Sequence, residues 1–198
     1  MSTIPGVRRI VFREISAADV KSAHAKSNEA KTGGGARDLR FVHTEVGPVL
    51  AVLFPKTRTE QRKRNGVQTG ETINYGDLHW MEPASDGSAP QHKTVEIDYE
   101  PPTDSRPNMG RIPRTNQIPP INTPPQAGRG RVFALFLEDA QGLVWFHYAY
   151  EADLRTPGAW HPQVANAIIG CLDNPQRRQN ISVEGYQDLT SNRGYCHL

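Results

Sequence analysis

A chain of 198 residues with a formal net charge of +2 suits one domain with a substantial core, and it holds no run of about 18 apolar residues that could span a membrane. Met1 to Arg9 lack the apolar stretch of a secretory signal. Cys171 and Cys196 are too few for a disulfide framework and lack metal-type spacing, so a cytoplasmic protein with reduced thiols is the expectation.

Val7–Ile15 is β-branched and aromatic, with Ile10 and Phe12 opposed to Arg9 and Arg13, and predicts an opening strand. Ser16 and Asp19 have the spacing of a capping box, which predicts a short helix through about Ala25. The glycine-rich segment 28–38 is a loop. Leu39–Val42 and Val49–Phe54 follow as strands, the second ended by Pro55, and the basic Lys56–Arg64 predicts a surface turn or short helix.

His92–Glu100 alternates cleanly: Val95, Ile97 and Tyr99 face one way, and Thr94, Glu96, Asp98 and Glu100 the other. Eight prolines in residues 101–125 exclude a central strand or long helix there. Val132–Leu137 and Leu143–Tyr150 flank the turn Glu138–Gly142 as an apolar core hairpin, and Arg129 and Arg131 mark its entry. Pro162 opens a helix that gathers Val164, Ala165, Ile168, Cys171 and Leu172 on one face, and Asn174-Pro175 closes it. About six or seven strands and two short helices predict a mainly β fold, a barrel or sandwich. Residues 1–175 form the expected domain, and 176–198 a polar C-terminal tail of uncertain packing.

No catalytic set assembles from these elements. Glu96, Asp98 and Glu100 could bind a hard cation in a small metal-dependent nuclease, but alternating charge is ordinary on a solvated strand face. The chain has a single Glu-x-Lys, Glu29-Ala-Lys31, and it precedes that strand within a glycine loop. The seven histidines are scattered, His147 reads as a core or edge histidine, and Cys171 reads as inert. No serine-nucleophile or phosphate-loop motif is present. No cofactor or metal is implied. A further alternative is a protein-interaction module, with Pro119-Pro120 and Pro124-Pro125 as its extended ligand.

The charge is unevenly distributed. Residues 1–78 carry an excess of five positive charges, 79–105 an excess of five negative, and 106–133 five arginines with no acid. Two basic zones can converge on a polyanion although the chain is nearly neutral, because phosphate attraction is local. Around Lys31–Arg40 the glycines permit close backbone approach to a phosphate, and Lys31, Arg37 and Arg40 supply charge. Around 104–116, Arg106, Asn108, Arg111 and Arg114 are the residue types that read guanine and adenine edges, on an arm stiffened by proline.

In the order of its motifs the chain resembles the EcoRII-type N-terminal effector-binding domains of restriction endonucleases, pseudobarrels related to the plant B-three DNA-binding fold. The resemblance runs over residues 8–172. It starts at Ile15-Ser16-Ala17 and Asp19, continues through Thr32-Gly33-Gly34, Leu53-Phe54-Pro55, a strand ending at Tyr99, and Arg111-Ile112-Pro113-Arg114, and closes with Leu135–Glu138, Asp139–Gly142, the Trp145 strand and Ile168-Ile169-Gly170. It implies a seven-stranded-type open pseudobarrel with two short helices and two projecting loops that grip the major groove. It further implies a recognition or effector-binding module of a restriction-modification system, with double-stranded DNA as partner and a separate or fused nuclease as companion. Gly35, Arg40 and the Asn108-Met109-Gly110 segment depart from that pattern, so DNA binding carries over and the target sequence does not. The expected contacts are Lys31, Arg37, Lys56, Arg62, Lys63 and Arg64 toward phosphates, Arg40, Arg106, Asn108, Arg111 and Arg114 toward bases, and Thr32 as a further DNA-binding residue.

Overall fold

A computed structural model describes residues 6–17, 19, 39–41, 44–82, 87–103, 110–112, 128–178 and 181–197. Its centre follows from the two most apolar strands. β7 (Val132–Glu138) is buried along its whole length, and it pairs antiparallel with β8 (Val144–Tyr150) across the predicted turn. A strand buried on both faces needs a core on each side. Val132, Ala134 and Phe136 enter one core, while Phe133, Leu135 and Leu137 enter the other. β1 (Arg9–Glu14) lies beside β7 and repeats the division, with Val11 in the first core and Ile10 and Phe12 in the second.

Helix α1 (Val46–Leu53) covers the first core with Val46, Leu50 and Leu53. Helix α3 (Pro162–Leu172) covers the second with Val164, Ile168, Cys171 and Leu172, next to Leu154 of the short α2 (Glu151–Arg155). The other strands are β2 (Leu39–Phe41), β3 (Arg58–Arg64), β4 (Val67–Glu82), β5 (Gln91–Tyr99), β6 (Gly110–Ile112), β9 (Glu184–Asp188) and β10 (Arg193–Cys196). The main sheet runs β10-β9-β1-β7-β8-β4-β3, with β5 on the other edge of β4, and β2 and β6 form a separate pair. Every pairing is antiparallel except β4 with β8. The fold is mainly β and its sheets stay open, consistent with an open pseudobarrel. Among the described residues no helix is long and apolar enough to cross a membrane.

Several expectations are corrected. Val49–Phe54 is not a strand: Val46, Leu50 and Leu53 recur at helical spacing toward the core while Val52 is 56% exposed. Pro48 fits the first helical turn, where an N–H has no partner to lose. Lys56–Arg64 is not a turn or helix but largely strand β3, which returns as β4 through Asn65-Gly66, both at positive φ. Gly66 meets the demand of that tight hairpin turn. The supposed tail supplies two strands, because β9 occupies the free edge of β1 and β10 extends it. Cys171 and Cys196 are not separate reduced thiols but a disulfide joining α3 to β10.

At Ser16 the capping box is present. The Ser16 amide donates to Asp19 Oδ2 (2.8 Å) and the Asp19 amide to Ser16 Oγ (3.1 Å). Arg13 and the Ser16 hydrogen bonds outweigh burial and hold the Asp19 carboxyl below its ordinary range. The rest of the helix expected through Ala25 lies outside the described residues.

Candidate nucleic-acid interface

The two predicted loops meet where they leave the core. Leu39, Phe41 and Ile112 are fully buried, and they anchor β2 and β6 as an antiparallel pair with Arg40 opposite Arg111. Strand alternation then turns both arginines away from the core. Gly110 packs under the Tyr99 ring, where an added Cβ would lie 2.4 Å from the phenolic oxygen, so a larger residue forces Tyr99 or the strand to shift. The Tyr99 hydroxyl donates to the Gly47 carbonyl at 2.7 Å, which ties this junction to α1. Burial drives the Tyr99 phenol far above its ordinary range, so it stays a hydrogen-bond donor.

Glu100 organises the surrounding charge. Its backbone exchanges hydrogen bonds with Arg111 (2.8 and 2.9 Å), and its carboxylate accepts from Arg111 Nε and pairs with Arg62. Glu100 is only 3% exposed. Arg62 sits at a β-bulge between Gln61 and Lys63, which re-aims its side chain inward, and it also reaches Glu71 at 3.1 Å. Arg64 lies 4.0 Å from Glu71. Arg62, Arg64 and Arg111 thus share a neighbourhood with Glu71 and Glu100, and Arg40 is registered opposite Arg111. The β3–β4 ribbon rises beside this cluster with Lys63, Arg64 and the Asn65-Gly66 tip exposed. A two-stranded ribbon of this kind is narrow enough to enter a major groove.

The predicted site residues divide as follows. Arg40, Arg62, Arg64 and Arg111 are brought together, and Lys63 stands exposed on the adjoining ribbon. Lys56 lies apart from them: its ammonium donates to Glu138 at 2.9 Å, and that buried carboxylate also accepts from Arg9 at 2.5 Å. Lys31, Thr32, Arg37, Arg106, Asn108 and Arg114 lie outside the described residues, as do Pro119, Pro120, Pro124 and Pro125.

The carboxylate row on β5 is not a solvated face along its length. Glu96 is exposed and accepts from Arg58 (2.9 Å) and Thr57 (3.1 Å), and the Arg58 hydrogen bond holds its carboxyl below the usual range. Glu100 is instead buried beneath Arg62 and Arg111. Among the described residues no three carboxylate, imidazole or thiolate groups converge to hold a metal. His147 sits against Trp160 with its Nε2 unpartnered among the described residues, and burial pushes its pKa down to about 4.

Sequence reasoning missed the part played by Glu100. Its signal was present as the acid directly after β5, immediately before the proline-rich arm, but period-two alternation assigned it to solvent.

No family model matches the chain, and neither the curated proteins nor the solved structures yield a match.

Proposed function

We propose that this chain is a sequence-specific double-stranded-DNA-binding domain of the EcoRII effector and B-three kind, which grips the major groove between two arms. What supports the reading above all is the pairing of Leu39–Phe41 with Gly110–Ile112. That pairing brings the ends of two basic loops together, as opposed jaws require and an unrelated linker does not. The arginines gathered around Glu100 and the exposed Lys63 and Arg64 add a surface for phosphates.

In this reading Lys31, Thr32, Arg37, Lys63 and Arg64 anchor phosphates, while Arg40, Arg106, Asn108, Arg111 and Arg114 address base edges. Arg62 acts through Glu100, and Lys56 drops out because Glu138 holds it. The domain serves as the recognition module of a restriction-type system, with cleavage left to a nuclease partner.

Selection of bound sequences from a randomised duplex pool, followed by mobility shifts across a salt series, tests this. The expected result is an enriched motif and an affinity that falls steeply with salt, because each neutralised phosphate releases counterions. Absence of salt-dependent binding overturns the proposal.

A further inference from the structure

Away from the arms, three donor atoms converge on the β4–β5–β8 face. His79 of β4 is opposite Thr94 of β5, and His92 lies two residues from Thr94 on the same face. His79 Nδ1 is 3.1 Å from His92 Nε2 and 2.9 Å from Thr94 Oγ1, and Thr94 Oγ1 is 3.5 Å from His92 Nε2. A transition ion about 2.0–2.1 Å from each tetrahedral ligand separates those ligands by about 3.3 Å. The observed triangle brackets that edge length.

The rings are held in place from behind. Trp145 pairs in register with His79 across the parallel β4–β8 contact, and it stacks on His92 with centroids 5.1 Å apart. Trp145 is itself fixed by its indole N–H, which donates to the buried Asp139 at 2.8 Å. Asp139 is in turn fixed by the Gln141 and Leu143 amides, both at 2.9 Å. His79 is buried while His92 and Thr94 are exposed, so the open side of the triangle faces solvent. A pair of imidazoles that needs little reordering to chelate suits a borderline metal, and a hydroxyl with water completes the shell.

We propose that His79, His92 and Thr94 form a surface site for a divalent transition ion of the zinc, nickel or copper class, clipping β4 to β5. Hard ions such as magnesium, which demand oxygen cages, are not its ligands.

Titration calorimetry of the full chain with zinc chloride, and with magnesium chloride as control, tests the assignment. One zinc equivalent and no magnesium heat are expected. His92→Gln alters an exposed side chain, so its fold is retained, and zinc affinity should fall about tenfold or more. Copper should quench tryptophan emission in the parent chain, and most of that quenching should vanish in both His92→Gln and Trp145→Phe. The proposal is overturned if the parent chain binds no zinc, or if His92→Gln and His79→Gln both bind it with parental affinity.

Discussion

Arg40 faces Arg111 across the antiparallel register of β2 and β6, and Arg111 is simultaneously held by the Glu100 carboxylate. Two guanidinia opposed on neighbouring strands repel unless an anion is near, and like charges directly opposite destabilise a sheet. Glu100 offsets that repulsion on one side.

Glu100→Gln keeps the shape and removes the charge. Arg62 and Arg111 then lose the carboxylate they share, while Arg62 keeps Glu71, so stability should fall by about 1–3 kcal/mol, below the loss for a fully buried pair because both arginines retain some solvent. Urea denaturation measures this. On DNA the same change should steepen the salt dependence and reduce discrimination between sequences, since Arg111 is no longer oriented. A variant with unchanged stability and unchanged discrimination would deny Glu100 its organising part.

Arg111→Ala and Lys63→Ala should separate two kinds of contact. The first should relax sequence choice at one position by about 1–3 kcal/mol. The second should weaken binding to every sequence alike and lower the salt slope by about one. Lys56→Ala serves as the contrast. It strips a cation from the buried Glu138, so it should lower the melting temperature and leave the salt slope untouched. Mobility shifts at several salt concentrations report all three.

Gly110→Ala places a methyl group against the Tyr99 hydroxyl in a filled site. A loss of about 1–3 kcal/mol is expected, as in other overpacked cores. Tyr99→Phe removes the clashing oxygen together with its 2.7 Å hydrogen bond to Gly47. The double variant should therefore be more stable than the sum of the single losses predicts, and a double-mutant cycle by thermal melts measures that coupling.

His147 should impose an acid limb on stability. Its folded pKa of about 4 lies below the ordinary 6.5, so between those values the unfolded chain binds more protons. Stability is unaffected above about pH 6.5, declines as pH falls toward 4, and the loss levels off at about 3 kcal/mol. His147→Leu removes the titrating group and an unpartnered buried nitrogen, and it should flatten denaturation midpoints over that range. A parental slope in this variant would assign the limb to other groups.

Most of the core was readable because its residues obey a single period. Strand alternation in Val7–Ile15 and His92–Tyr99, the apolar hairpin about Gly142 and the face from Val164 to Leu172 all recur in the fold. Val49–Phe54 misled because six consecutive apolar residues carry no period, and only Val46, three residues earlier, reveals the helical one. β3 and all of β4 escaped: the ribbon they form is largely exposed on both faces, and the buried positions in the second half of β4 are Asn74, Gly76, Leu78 and His79, which leaves no hydrophobic alternation to detect. Tertiary pairing alone made strands of 184–188 and 193–196. At the site, the basic residues were evident from charge, but the carboxylate that gathers Arg62 and Arg111 was not. Its burial depends on chain segments distant in sequence.

The position of β9 also bears on how the molecule is made. Arg9 is registered with Glu138 on one side and with Asp188 on the other. Both neighbours of the first strand are therefore synthesised long after it. At ordinary translation speeds of about 5–20 residues per second, about 10–35 s separate β1 from the strand that covers its second edge. Until β7 emerges Ile10, Val11 and Phe12 have neither neighbour on the nascent chain, and until β9 emerges one edge of β1 stays open, which is the kind of segment that chaperones bind and that aggregates recruit.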